Sequence, residues 1–393
     1  MLLNGFKTEL KVNSSQKILL AKHAGVARHA WNWGLRLTKN ILDNNQNNPE
    51  DKIKFPTSID LHKWLVALVK PEHPWYYSVS KCAPQYALRH LRTAWDDCFK
   101  KLKQPPRFKK KGRNDSFTLD GSIKLETWRI KVPRIGWLKT YERLPQAINP
   151  KSVTISQRAG RWFISFKLKV KPKDIKQKNH PVAVDLGLLR FATLSTGEEI
   201  DSPRPLKKFE NKLRLLQWRN RHQVIGSSNW KKTQHKIAKL HYRISCIRSD
   251  FIHKLTTNLA KNHSKIVIED LNVLGLMKNG KLSKAIADSG FYEFRRQLTY
   301  KTELYGSKLI IADRFFPSSK LCPNCGHKKD KLPLSVRVYQ CDNHDCDWVA
   351  DRDYSAAINL LGLAEPDFKP VEEQEPTLFD EAGTKKKAMS NIV

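Results

Sequence analysis

The chain has 393 residues and carries 72 Lys and Arg against 38 Asp and Glu, a formal charge of +34; it is too long for one ordinary core, so two to four packed units are expected. Such an excess repels itself in a compact state unless a polyanion neutralises it, which points to nucleic acid, and the 11 Trp and 10 Tyr add rings on which bases can stack. The absence of any run of about 18 uncharged apolar residues, and of a signal-peptide pattern in "MLLNGFKTELKV", sets the expectation of a cytoplasmic protein with no membrane partner.

The period-two segment "NGFKTELKV" predicts a strand, after which Ser14 or Ser15 caps a helix running from Gln16. In "LRHLRTAWDDCFKKL", Leu88, Leu91, Trp95, Cys98 and Leu102 recur every three or four positions and predict one buried helical stripe. Residues 13–103 therefore read as a helical lobe. The run "KKLKQPPRFKKKGRND" then breaks the helix at Pro105 and Pro106 with a block of like charge, the mark of a loop or a nucleic-acid contact. Beyond it Trp162, Ile164, Phe166, Leu168 and Val170 alternate with Lys167 and Lys169 after an Ala159-Gly160 turn. Residues 104–172 read as a small all-β unit, and residues 1–12 share its period, so the helical lobe is expected to be an insertion. From "NHPVAVDLGLLRFATLSTGEEI" onward the order is strand, strand, long helices, strand, helix, an α/β pattern over 173–317 and 350–364. Its basic helices carry a seam of Ile237, Leu240, Ile244, Ile247 and Phe251. Residues 365–393 have few core-forming side chains and read as a disordered tail.

Two apolar runs of the α/β region end in acids: "PVAVDLGL" delivers Asp185, and "SKIVIEDLNVLG" delivers Glu269 and Asp270. A charge ending a strand that otherwise reads as buried is costly unless paired or bound to a cation. A third acidic group, Asp351 or Asp353, lies near the start of the helix in "ADRDYSAAINLL". Carboxylates from two strands and one helix start can converge on hard cations such as magnesium; two such ions roughly 4 Å apart serve phosphodiester hydrolysis.

Seven cysteines are present, and four fall between positions 322 and 346, the spacing of a metal cluster in a reducing compartment. Cys322 and Cys325 form a knuckle in "CPNCGH", and Cys341 and Cys346 a second with four residues between them. Four thiolates suit one structural zinc ion, with His327 and His344 as alternatives to one sulfur. The crowded stretch "CDNHDCDWVADRDYSA" thus joins two sites, soft sulfur for zinc and a hard carboxylate for another cation, and Asp342, Asp345 and Asp347 read as surface residues.

The ordered set "AVDLG", "IVIEDL", "FFPSSKLCPNCG" and "DRDYSAAINLL" resembles the TnpB family, transposon-encoded RNA-guided DNA nucleases related to the type V CRISPR effectors. The resemblance implies a wedge-like β-barrel split by a helical recognition lobe, then a RuvC-type nuclease domain of RNase H-like fold with a zinc-binding insertion over 318–349. Carried over by motif, its catalytic acids are Asp185, Glu269 and Asp353, binding two Mg2+ ions, while Cys322, Cys325, Cys341 and Cys346 take Zn2+. It further implies a monomer on one guide RNA derived from the transposon end, which selects double-stranded target DNA beside a short motif and is nucleoid-associated when bound; the chain would grip the heteroduplex by its backbone. A nuclease-inactive RNA-guided DNA-binding repressor is the alternative. Two departures stand out: Ser355 where the family usually has Asn, with Asp351 as the other choice of third acid, and a second knuckle longer than CxxC.

Overall fold

The structure, a computed structural model, describes residues 2–364 except 113, 147, 149, 174–178 and 334. The tail expected over 365–393 lies outside the described residues. The chain divides into two compact units, Met1–Val170 with Gln234–Lys239, and Lys171–Thr233 with Leu240–Val393.

The first unit opens with strand β1 (Leu2–Lys11) and helix α1 (Ser14–Asn47). The cap of α1 is Asn13, not Ser14 or Ser15: its side chain accepts from Gln16 N while the Gln16 side chain accepts from Asn13 N, so both end groups are satisfied at once. Helices α2 (Ser58–Trp64) and α3 (Cys82–Phe99) follow, with a π turn and a 3-10 turn between them. Leu88, Leu91 and Trp95 of α3 are buried as the spacing predicts, whereas Leu102 falls beyond the helix end and is 70% exposed. Then come β2 (Ser116–Asp120), β3 (Lys124–Glu126), β4 (Arg129–Val132), β5 (Gly136–Thr140), β6 (Ser152–Arg158) and β7 (Arg161–Val170).

These strands form one antiparallel seven-stranded sheet in the order β2-β6-β7-β1-β5-β4-β3. β1 pairs with β7 from Leu2↔Val170 to Glu9↔Phe163 and passes on to β5 at Leu10↔Thr140, so the helices are inserted between strands of one sheet. β6 and β7 join through Ala159 and Gly160, whose φ values of 50° and 78° suit a two-residue hairpin turn. The expected barrel is not closed among the described residues. The edges β2 and β3 are consecutive in sequence, yet the intervening segment spends its hydrogen bond locally, from Ile123 N to Gly121 O, and no ladder joins them. Helices and sheet share one core, in which Leu20, Leu35, Leu88 and Trp95 belong to the same cluster as Phe117, Ile130, Leu138 and Ile164.

The second unit contains β8 (Val182–Leu186), β9 (Ala192–Leu194), β10 (Glu199–Ile200), α4 (Pro205–Arg221), α5 (Ser228–Asn262), β11 (Lys265–Glu269), the single turn α6 (Val273–Leu276), α7 (Ser283–Ser289), α8 (Phe291–Tyr305), β12 (Lys308–Ala312), β13 (Val338–Gln340), β14 (Val349–Asp351) and α9 (Arg352–Leu361). Its main sheet has the order β10-β9-β8-β11-β12, with β8, β11 and β12 parallel and β9 and β10 antiparallel to their neighbours. The central strands are covered on both faces, which explains their nearly continuous apolar runs. Val182, Val184, Ile266 and Ile268 pack against Ile252 and Leu259 of α5 and Phe294 and Leu298 of α8. The alternate residues Ala183, Val267 and Ala312 pack against Leu360 and Leu361 of α9.

Candidate functional site

Strand periodicity decides where the two strand-borne acids point. Side chains two apart share a face, so Asp185 and Glu269 fall on the same side as Ala183 and Val267, the side covered by α9. The parallel register pairs Val184 with Ile268, so the next residues on the two strands, Asp185 and Glu269, are neighbours across the ladder. Asp353 lies in the first turn of α9. The sequence thus brings all three acids to one end of the sheet through one register and one helix start.

Their electrostatics agree with that crowding. Burial, followed by the charges of Glu269 and Asp353, holds the Asp185 carboxyl well above the usual carboxylate range, with Arg352 pulling the other way. Asp353 is raised by burial and then by Asp351, against the opposing pull of Arg337, Arg352 and Arg190. The charges of Glu269 and Asp353 both disfavour ionisation of Asp185, a repulsion at Asp185 that a divalent cation would relieve.

The remaining acids have other occupations. Asp351 caps α9, its Oδ1 accepting from Asp353 N at 2.8 Å and Tyr354 N at 3.1 Å, and it is 8% exposed. Asp270 is clamped between Arg295 and Arg314, the latter at 2.6 Å, and the two guanidiniums hold its carboxyl low. Asp342 pairs with Lys329 at 2.6 Å, and Asp345 and Asp347 are exposed.

The four cysteines come together as a second centre. The sulfurs of Cys322, Cys325, Cys341 and Cys346 lie within 4.8 Å of one another, with Cys322–Cys346 and Cys325–Cys341 at 3.6 Å. Sulfurs around a tetrahedral zinc at about 2.3 Å would stand about 3.8 Å apart, so the set fits that ion. The first knuckle turns at Gly326, where φ is 74° and Gly326 N bonds Cys322 O. In the longer second knuckle Asn343 takes up the extra length, donating its N–H to Cys341 Sγ while its carbonyl accepts from Cys346 N. His327 and His344 are exposed and stand outside the cluster.

Several contacts were not anticipated from the sequence. Arg337 stands 4.0 Å from Asp353. Ser318 donates to Glu269 Oε1 at 2.6 Å, and Asn359 of α9 donates to the carbonyls of Ser318 and Leu321. The available signal for Ser318 was its position in "FFPSSKLCPNCG", directly ahead of the first knuckle; Arg337 carried none among so many basic residues. Ser355 accepts from the Trp348 indole at 3.1 Å and is 1% exposed, tying α9 to the cysteine-bearing segment.

Family comparisons cover much of this architecture. A family model described as "Probable transposase" matches residues 164–280, one described as "Cas12f1-like, TNB domain" matches 291–360, and a "Helix-turn-helix domain" matches 1–47, where this chain has β1 and one long helix. A "Putative RNA-guided DNA endonuclease" of Streptomyces pristinaespiralis is 40% identical over 295 residues, 73% of this chain and 72% of its own. The "Putative RNA-guided DNA endonuclease InsQ" of Escherichia coli (strain K12) is 32% identical over 383 residues, 91% of this chain and 92% of its own. A solved structure described as the mini-RNA-guided endonuclease CRISPR-Cas_phi3 has a TM-score of 0.51 at 10% identity over 92% of both chains, a likeness of fold alone. The class is that of the Streptomyces and Escherichia relatives, 40% and 32% identical and each matched over more than two thirds of both chains. Within it, the chain belongs to the TnpB family.

Proposed function

We propose that this protein is an RNA-guided DNA endonuclease that hydrolyses phosphodiester bonds at Asp185, Glu269 and Asp353 with two magnesium ions. The observation that carries the reading is the neighbouring of Asp185 and Glu269 across the β8–β11 ladder, with the Asp353 charge felt at Asp185. The activity for which the relatives are named, RNA-guided DNA endonuclease, supports it, and the mixed five-stranded sheet suits an RNase H-like nuclease domain.

When bound, a pair of divalent cations activates water and stabilises the leaving oxygen. The chain's own part is to hold that chemistry in place. Asp185 extends from the buried run Val182–Val184 of β8; Glu269 shares its face, and Asp353 closes the set from the helix side. Arg337 and Arg352 offset the negative charge around Asp353. The cysteine cluster holds a structural zinc. A transposon-end guide RNA would select double-stranded DNA beside a short motif, with the open sheet as the wedge and the inserted helices as the recognition region. Among the described residues no helix is long and apolar enough to cross a membrane.

The test uses the protein with its copurifying RNA, a matched duplex and Mg2+. Asp185→Ala is expected to abolish cutting by about a thousandfold or more while guide-dependent DNA binding persists. Undiminished cutting in that variant would remove the acids from the mechanism. Binding without cutting by the unaltered chain, under any divalent metal, would mark the nuclease-inactive repressor instead.

A further inference from the structure

A strand-end glutamate has a fixed backbone and a free side chain. The ladder to β12 fixes the backbone of Glu269 opposite Ala312, but three side-chain torsions still separate Cα from the carboxylate. Metal ligation tolerates little wandering, and outer partners usually remove that freedom.

Ser318 is suited to do so. It is 5% exposed, and its hydroxyl donates to Glu269 Oε1 at 2.6 Å, a short charge-assisted bond. Its own position is fixed twice: Ser318 N donates to Phe316 O at 2.9 Å, and its carbonyl accepts from Asn359 Nδ2 at 2.7 Å. The same Asn359 amide donates to Leu321 O at 2.8 Å, so both of its hydrogens can be used. Asn359 sits on α9, the helix that begins beside Asp353, and Leu321 directly precedes Cys322. Hydrogen bonds therefore link Glu269 to Ser318, and Ser318 to the helix bearing Asp353, which in turn holds Leu321, the residue before the first cysteine of the sulfur cluster.

We infer that Ser318 is a positioning residue for Glu269, held in register by Asn359, and that it sets the divalent-metal affinity of the acidic site; the inference rests on the site reading proposed above. By engaging Oε1, the hydroxyl restricts the carboxylate and leaves Oε2 as the oxygen that would serve a cation. The cysteine-bearing segment then serves the acidic centre as well as its own fold.

The experiment measures Mn2+ binding to the protein with its copurifying RNA by paramagnetic resonance, alongside the Mg2+ concentration for half-maximal cutting. Ser318→Thr and Ser318→Val have nearly the same shape and differ in the hydroxyl. The valine variant is expected to bind Mn2+ about 10-fold or more weakly, to require correspondingly more Mg2+, and to recover most of its rate at saturating metal; threonine should stay near the parent. Equal Mn2+ affinity in the two variants, while Glu269→Ala loses binding, overturns the inference alone. Unchanged affinity in Glu269→Ala overturns the site reading and this inference with it. Melting temperature and zinc content of each variant are recorded, so that a folding defect common to Thr and Val registers as equal behaviour and counts against the inference.

Discussion

Lys301 shows how much one side chain can conceal. It lies on α8, is 2% exposed, and its Nζ donates among His253 O, Thr256 Oγ1, Thr257 Oγ1 and Gln297 Oε1, all within 3.0 Å. Burial, with Arg296 adding to it and Glu293 opposing, pulls its pKa from 10.5 down to about 8. The folded state therefore loses this proton near pH 8, whereas the unfolded chain keeps it to about 10.5. Between those values the unfolded state binds more protons, so stability contributed by this group rises with pH. Relative to Lys301→Met, the parent chain should gain up to roughly 3 kcal/mol between pH 7.5 and 10.5 in denaturant unfolding; a constant difference across that range would show that the four oxygens hold the ammonium charged. The sequence contained the clue, because Phe294, Leu298, Lys301 and Tyr305 follow helical spacing and put the lysine on the apolar face. Among 72 basic residues it did not stand out. The three acids did, because each interrupts or adjoins an apolar run where a lone charge is costly.

At the scale of elements, legibility followed length. The ten-residue strand β7 has enough alternation to be read, and β1, sharing its period, pairs with it as expected. By contrast β3 has three residues and β4 four, too few for a period, and barrel closure depends on edge ladders that no local pattern encodes. The sulfur cluster was legible by spacing, and its element explains why a metal is needed. Around Cys322 and Cys346 the buried core of that segment is Tyr339, backed by half-buried Leu332, Cys341 and Trp348, far too little apolar surface to order the chain alone. Zinc at such a site contributes on the order of 10 kcal/mol of apparent folding free energy. In Cys322→Ser, zinc content should fall well below that of the parent, and amide exchange should become fast across β13 and β14 while β8 and β11 stay protected. Protection of that hairpin in metal-free protein would refute the assignment.

For the whole molecule the governing quantity is charge, +34 on 393 residues. The basic run after α3 is anchored, which separates it from a merely solubilising stretch: Trp31 Nε1 donates to Arg107 O, Asn32 exchanges hydrogen bonds with the Lys109 backbone, and Lys109 Nζ lies 3.9 Å from the Trp31 ring centre. Lys110 and Lys111 are left exposed on a strap whose backbone is held at Arg107 and Lys109. Fixing the strap in advance lowers the ordering cost of binding a polyanion. Six or more phosphate contacts would weaken RNA binding by about a thousandfold or more between 50 and 200 mM salt. Replacing Lys110 and Lys111 with Ala should weaken binding of unrelated RNA sequences alike and lower the slope of log K against log salt by about two, roughly one for each phosphate contact removed. The check is a salt titration of RNA affinity for both proteins. An unchanged slope would mean that the strap meets no phosphate, and the case for this face as a backbone contact would fall even if the parent's salt dependence were steep.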